Sequence, residues 1–206
     1  MPSSAEGPAT RAWIALAGIG AAGSLLAGWL PAGALDWQPA LALTEPWRWV
    51  SAAFVHWSPL HLGANLAGAA VLAVFGWAAA LPARAALAWA LAWPLTHGAL
   101  LMQPALAHYG GLSGVLHAGV AVAAMALVSQ EAGRRRRIGL AVLAGLALKV
   151  VLERPWAGPL SYPQGWDIAV APLAHAGGAL AGAACALACG LRPRLRLRMG
   201  PRIKGP

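Results

Sequence analysis

The sequence predicts an all-α membrane protein built from six transmembrane helices. Hydrophobic residues make up 59% of the 206 residues and charged residues only 10%, whereas soluble domains carry roughly 25% charged residues. Apolar runs long enough to cross a bilayer recur along the chain. Most basic residues fall outside these runs, which is typical of the loops of a membrane protein.

Six apolar segments predict the six helices. The first is expected to be a retained helix, because residues 1–10 lack the basic region of a cleaved signal and no A-x-A site follows promptly. The fifth is short, and tilt or local thinning of the bilayer would let it span. The segments cover about residues 12–30, 60–81, 85–102, 112–129, 138–152 and 169–190.

We expect a membrane domain over residues 12–190, preceded by a cytoplasmic segment, 1–11, and followed by a basic cytoplasmic tail, 191–206. The long connection between the first two helices, 31–59, is rich in tryptophan. Since tryptophan favours the headgroup level, this loop is expected to lie in the membrane interface. Its tryptophans are Trp37, Trp47, Trp49 and Trp57.

The distribution of the 15 basic residues predicts the orientation. If both ends are cytoplasmic, three basic residues are placed on the outer side of the membrane: Arg48, Lys149 and Arg154. The other twelve fall inside, in agreement with the excess of Lys and Arg in cytoplasmic loops. They are Arg11, Arg84, Arg134, Arg135, Arg136, Arg137, Arg192, Arg194, Arg196, Arg198, Arg202 and Lys204.

The net charge of +9 does not predict a nucleic-acid partner, because no soluble domain is present to carry one. The basic runs, residues 134–137 and 192–204, are instead interpreted as topological signals and lipid-headgroup contacts. Cys185 and Cys189 lie four apart in an apolar segment and are interpreted as small buried hydrophobes. No metal site and no cofactor is predicted.

Ser113 is the candidate nucleophile. It stands between Gly111 and Gly114 at the start of a stretch, 112–128, that contains no charged residue. A lone serine in such a helix usually bonds its own backbone. A serine flanked by glycines at a helix start, with a histidine on a later apolar helix, favours a catalytic role.

His175 is the candidate general base. Gly178 and Gly182 follow it, and this small-x-x-x-small pattern lets a helix approach another closely. Gly114 and Ala118 offer a matching surface on the serine helix, so close packing would bring the imidazole to Ser113. Packing alone is the alternative interpretation of this pattern.

Three further polar residues are candidates for the same site. His61 and Asn65 lie four apart and share one helix face, where they would donate hydrogen bonds to an oxyanion or hold two helices together. His117 lies four residues after Ser113 and is either a rival base or a packing residue. Structural or interface roles are expected for His56, His97 and His108, and Lys149 and Glu153 are expected to pair with each other.

Together these residues resemble the motifs of the rhomboid family of intramembrane serine proteases. Gly111 to Gly114 is similar to the family's G-x-S-G, and His61 with Asn65 to its H-x-x-x-N. Ala174-His175 with Gly178 and Gly182 resembles its A-H-x-x-G-x-x-x-G, and Trp47-Arg48 its W-R. The order of the elements along the chain is the family's order.

Within that family the chain looks most like the rhombosortases. Ser113 to His117 resembles their S-G-x-x-H, and Lys149 to Glu153 their K-x-x-x-E. Ala118 stands where these relatives commonly have glycine. Residues 51–53, Ser-Ala-Ala, stand where they often have Thr-Gly-His.

The resemblance implies a six-helix rhomboid-like bundle and peptide-bond hydrolysis at membrane depth, with Ser113 as nucleophile and His175 as base. The backbone N–H of Ser113 and the side chains of His61 and Asn65 would stabilise the oxyanion. No carboxylate is expected beside His175, so the catalytic pair would be a dyad.

By the same resemblance, the partners would be exported, membrane-anchored proteins with a C-terminal sorting tail, which consists of a glycine-rich motif, a helix and a basic cluster. The enzyme would lie in the bacterial inner membrane with its active site towards the periplasmic face. Two alternatives stay open: a general rhomboid protease that cuts other single-span proteins, and an inactive rhomboid-like protein that binds membrane clients. A transporter is disfavoured because no inverted repeat is apparent.

Overall fold

The computed structural model describes residues 7–129 and 133–192, and within these ranges the chain is helical with no strand. The cytoplasmic segments expected at 1–11 and 191–206 therefore lie largely outside the described residues. Two isolated antiparallel bridges, Trp37 with Tyr109 and Ser161 with Val170, tie loops together. The six long helices are α1 Pro8–Ala27, α2 Pro59–Ala78, α3 Ala83–Gly98, α4 Ser113–Val128, α5 Arg134–Glu153 and α6 Pro172–Ala188.

Among the described residues, helix length and hydropathy mark three candidate membrane spans. They are Ala9–Ala27 in α1, Pro59–Ala78 in α2, and Ala83–Met102, which is α3 extended by a 3₁₀ turn. The apolar helices α4 and α6 are shorter, with 16 and 17 residues. The count of six spans therefore stays a prediction, although all six predicted helices are present.

Several helix ends lie up to four residues from those expected. Two of the starts have a physical reason. α5 begins at Arg134, four residues before the predicted start, because the arginine run itself is helical. α6 begins at Pro172, since the preceding Val170 is extended and pairs with Ser161. Proline at the first position of a helix costs no hydrogen bond and is pre-organised for helix geometry.

α4 lies at the centre of the bundle and packs against α2, α3, α5 and α6. Most of its residues are buried, as expected for a helix that is apolar on every side. α6 makes the closest approach: a Cβ added to Gly178 would fall on the backbone carbonyl of Gly114, and one on Gly182 would fall on that of Ala118. The predicted small-residue contact therefore forms, and it sets the depth of His175 against Ser113.

The loop between α1 and α2 is folded partly into the protein. Trp37 is fully buried and its backbone pairs with Tyr109, so it is not a headgroup anchor as the interfacial expectation implied. Trp47 and Trp57, with 51% and 45% of their surface exposed, fit that expectation better. Short helices, Ala32–Leu35 and Arg48–Ser51, order the loop. Inside it the buried Arg48 guanidinium contacts the buried Asp36 carboxylate at 3.1 Å.

Candidate active site

The structure brings Ser113 and His175 together. Ser113 is the first residue of α4 and His175 the fourth of α6. The Oγ of Ser113 lies 2.9 Å from Nε2 of the largely buried imidazole of His175. That distance is within the range for hydrogen bonding between a nucleophile and its base.

A carboxylate also contacts His175, which corrects the expectation that none is placed there. Oε2 of Glu153, the last residue of α5, lies 2.7 Å from Nδ1 of His175. The expected pairing of Lys149 with Glu153 forms as well, through the other carboxylate oxygen, Oε1. Spacing along α5 predicts that pair but says nothing about the contact with α6, which exists only because the ends of the two helices meet.

These contacts define which nitrogen of His175 carries the proton. An ionised carboxylate only accepts hydrogen bonds, so Nδ1–H of His175 donates to Glu153. Nε2 then presents a lone pair to Ser113, whose hydroxyl donates to it. This assignment follows from the hydrogen-bond network.

His117 lies beside the pair without bonding the serine oxygen. Its Nδ1 lies 2.7 Å from the backbone carbonyl oxygen of Ser113, to which it donates. Its ring stacks on that of His175, with centroids 4.2 Å apart and 11° between the planes. This geometry fits a packing residue and disfavours the rival-base interpretation.

His117, Glu153 and His175 also bring three groups of metal-ligating type close together. The lone pairs of an imidazole lie in its ring plane, and the two histidine rings are nearly parallel. One ligand atom of each residue lies within 4.8 Å of the others. Nδ1 of His117 and both nitrogens of His175 are, however, already engaged in hydrogen bonds to protein groups.

His61 and Asn65 are both buried on α2 and line the same cavity as Ser113 and His175. The backbone N–H of Trp57 donates to Nδ1 of His61 at 3.5 Å, which leaves Nε2 of His61 as the ring's N–H donor. Asn65 donates one N–H to the carbonyl of His61 at 3.1 Å and keeps a second.

Gly111 lies between the imidazole of His61 and the hydroxyl of Ser113. A Cβ at this position would lie 2.8 Å from Nε2 of His61 and 3.9 Å from Oγ of Ser113. Its φ of +141° is also one that residues with a side chain rarely adopt. A glycine is therefore required here both by the backbone and by the approach of His61.

The backbone of α4 adds a further donor. Ser113 is the first residue of the helix, and the first four N–H groups of a helix have no partner within it. The helix dipole also favours negative charge at this end. Ser113, His61 and Asn65, which each carry an N–H donor, thus line the same cavity.

The cavity has a volume of about 860 Å³. Beyond the polar groups its walls are apolar side chains, mostly from the two helices α2 and α5, with Leu116 and Val120 from α4. The loop between α5 and α6 lines one side. That loop is tied to the start of α2 by Ser58, whose hydroxyl donates to Asp167 at 2.8 Å. The apolar wall residues of the two helices are Val71, Leu72, Phe75, Val142 and Leu146.

The other histidines have the structural contacts expected of them. Fully buried His97 bonds the carbonyl of Trp49 at 2.7 Å, and His108 bonds Asp36 at 2.7 Å. His56 donates to the carbonyl of Phe54, and its ring lies 4.7 Å from that of His61. Burial lowers the pKa of His56, which keeps it neutral beside the site.

Tyr109 lies at the site, although no role was predicted for it from the sequence. Its hydroxyl donates to the carbonyl of Gly111 at 3.1 Å, and burial raises the pKa of Tyr109 to about 12. The hydroxyl therefore stays protonated and holds the Gly111 backbone beside Ser113. The one feature of the sequence that indicated such a role is the position of Tyr109 directly before Gly110 and Gly111.

Comparison with known protein families gives a match that covers most of the chain. The rhomboid domain model matches residues 43–192, which include every site residue from His61 to His175. The chain has no match among curated proteins or solved structures.

Proposed function

The chain belongs to the rhomboid family, and we propose that it is an intramembrane serine endopeptidase with Ser113 as nucleophile and His175 as general base. The observation that carries the proposal is the 2.9 Å contact between Ser113 Oγ and the Nε2 atom of His175 that is free to accept a proton. A family match alone would not distinguish an active enzyme from an inactive relative.

The reaction begins when His175 Nε2 takes the proton of the Ser113 hydroxyl as Oγ attacks the scissile carbonyl carbon. The carbonyl oxygen becomes an oxyanion. His175 then gives the proton to the departing amine as the peptide C–N bond breaks, which leaves an acyl-enzyme. Water, deprotonated by the same nitrogen, attacks the ester and restores Ser113.

The oxyanion would receive hydrogen bonds from the backbone N–H of Ser113 and the side chains of His61 and Asn65. Donors already fixed in place cost no reorganisation during the reaction, and each is worth about 2.7–4 kcal/mol of transition-state stabilisation. The buried positions of His61 and Asn65, and the close approach of His61 Nε2 to the Gly111 backbone beside Ser113, support this assignment.

The substrate would approach between α2 and α5, which line the cavity with apolar side chains. Gly145 of α5 lines this space, and a Cβ added to it would meet nothing within 4 Å. An apolar helix of a membrane-anchored protein fits such walls, with its unwound end reaching Ser113.

We propose rhombosortase-type substrates, which are exported proteins with a glycine-rich C-terminal sorting tail. The supporting observation is that the residues of both subfamily motifs, His117 and the Lys149–Glu153 pair, lie against the Ser113–His175 pair. The proposed location is a bacterial inner membrane with the active site on the periplasmic side, which the distribution of basic residues supports.

A fluorophosphonate probe tests the enzymatic proposal without a natural substrate. An activated Ser113 attacks the phosphorus and displaces fluoride, which leaves a stable P–O bond. Wild-type protein in detergent should be labelled on Ser113, and Ser113→Ala should not. Ser129→Ala is the matched control, because Ser129 follows the same helix at its opposite end and its hydroxyl donates to the carbonyl of Ala126. Equal labelling of Ser113→Ala and wild type would overturn the proposal.

A further inference from the structure

We propose that Glu153 is a positioning residue for His175, held in orientation by Lys149, so that Ser113, His175 and Glu153 act as a triad. This inference rests on the proposed protease function. It replaces the dyad that the family resemblance implied and gives the Lys149–Glu153 pair a role in the reaction.

The geometry fixes the carboxylate through both of its oxygens. Oε2 contacts Nδ1 of His175 at 2.7 Å, and Oε1 contacts Nζ of Lys149. Lys149 and Glu153 lie one turn apart on α5, whereas His175 is on α6. Rotation of the carboxyl group would break one contact or the other, so the side chain has one favoured orientation.

The first consequence concerns the proton on His175. In a neutral imidazole either nitrogen can carry it, and a base for Ser113 needs it on Nδ1. Glu153 accepts at Nδ1 and therefore selects that form. In a known serine-protease triad, replacing the carboxylate with an amide leaves the geometry intact. The histidine then carries its proton on the wrong nitrogen, and catalysis slows strongly.

Glu153 also compensates the positive charge that His175 acquires during the reaction. When His175 takes the serine proton it becomes a cation in a cavity with largely apolar walls. The Glu153 carboxylate, with 23% of its side chain exposed, is in direct contact with that cation. Before the reaction the carboxylate is compensated by Lys149, so the resting site does not hold an isolated negative charge.

The stability of α5 does not explain why a glutamate stands at this position. Glu153 is the last residue of the helix, where the negative end of the helix dipole disfavours a carboxylate. Lysine before glutamate is also the weaker order for a pair four residues apart. A residue placed against local preference is expected at a functional site.

The test measures the labelling rate of Ser113 by the fluorophosphonate probe at several probe concentrations. Glu153→Gln keeps the shape and removes the charge. Its maximal rate should fall about 10²- to 10⁴-fold, while the half-saturating probe concentration changes by less than about threefold. Glu153→Asp keeps the charge and should recover part of the rate. Glu45→Gln is the matched control, since Glu45 pairs with Arg48 on the outer loop, and it should label at the wild-type rate.

Lys149→Met tests the second part of the proposal. Alone it should slow labelling about twofold to fivefold, as expected for a half-exposed ion pair. In the Glu153→Gln background it should have almost no further effect, because its action passes through Glu153. If both residues had a purely structural role, the losses of labelling rate in the two single variants would add in the double variant. The unfolding temperature in detergent would then fall in proportion to the loss of rate.

The outcomes separate this inference from the proposed function. Wild-type labelling of Ser113 together with a Glu153→Gln rate near wild type would overturn the positioning role alone. No labelling of wild-type Ser113 would overturn the protease proposal itself. If Glu153→Gln does not fold, Glu153→Asp takes its place: its shorter side chain cannot keep both contacts, so its labelling rate should lie below the wild-type rate, and a wild-type rate in that variant would overturn the positioning role.

Discussion

The imidazole rings of His117 and His175 are stacked face to face, 4.2 Å apart and 11° from parallel. His117 is fixed by its bond to the Ser113 carbonyl, so it provides a flat wall that limits rotation of the His175 ring. His117 thus contacts His175, the proposed base, and does not bond the hydroxyl oxygen of Ser113, the proposed nucleophile.

Replacing His117 distinguishes a packing role for this residue from a role as the general base. His117→Phe keeps a flat ring and should retain most activity. His117→Ala loses a ring contact worth about 0.5–1.5 kcal/mol and should slow Ser113 labelling by up to about tenfold. If His117 were the base, both variants would lose about 10²- to 10⁴-fold. Equal, large losses in the two variants, with labelling preserved in His175→Ala, would show that the wrong base has been assigned.

The contact of α6 with α4 predicts a specific effect of adding one methyl group. In Gly178→Ala the new Cβ would fall on the Gly114 backbone, which cannot move aside as a flexible side chain can. Such overpacking costs about 1–3 kcal/mol, and thermal unfolding in detergent should show it. Gly18→Ala is the control, since a Cβ there meets nothing within 4 Å. A lower unfolding temperature for Gly18→Ala than for Gly178→Ala would contradict the packing described.

At Gly111 a new methyl group would meet both backbone strain and a steric clash. Gly111→Ala should reduce activity because its Cβ would lie 2.8 Å from Nε2 of His61. Gly133 also has a positive φ, +96°, but open space around it. Gly133→Ala therefore measures strain alone, about 1–3 kcal/mol in stability. Labelling should slow in Gly111→Ala and stay near the wild-type rate in Gly133→Ala, after correction for the fraction of folded protein, and equal rates in the two variants would contradict the clash with His61.

The oxyanion assignment predicts separate losses at two residues of α2. His61→Ala and Asn65→Ala should each lower the maximal labelling rate by about 10²- to 10³-fold, with little change in the half-saturating probe concentration. Unfolding temperatures measured in parallel show whether either variant is misfolded. A folded Asn65→Ala protein with the wild-type rate would remove Asn65 from the oxyanion site.

Motifs within single helices were sufficient to predict much of this site. The glycines at 178 and 182 predicted the close approach of α6 to α4, and with it the meeting of His175 and Ser113. Spacing along α5 predicted the Lys149–Glu153 pair. The contact of Glu153 with His175 was missed because the loop of residues 154–171 separates them, and its path decides whether the helix ends meet. Trp37 was misplaced for a similar reason, since its pairing with Tyr109 joins segments about 70 residues apart.

The most direct test is cleavage of a reporter protein that carries a glycine-rich C-terminal sorting tail, in vesicles containing the purified enzyme. Wild-type protein should cut the reporter near the tail, and Ser113→Ala and His175→Ala should leave it intact. A second reporter with an unrelated single span should be spared, and equal cleavage of both would favour a general rhomboid protease. Cleavage by Ser113→Ala at the wild-type rate would contradict the catalytic role assigned to this serine.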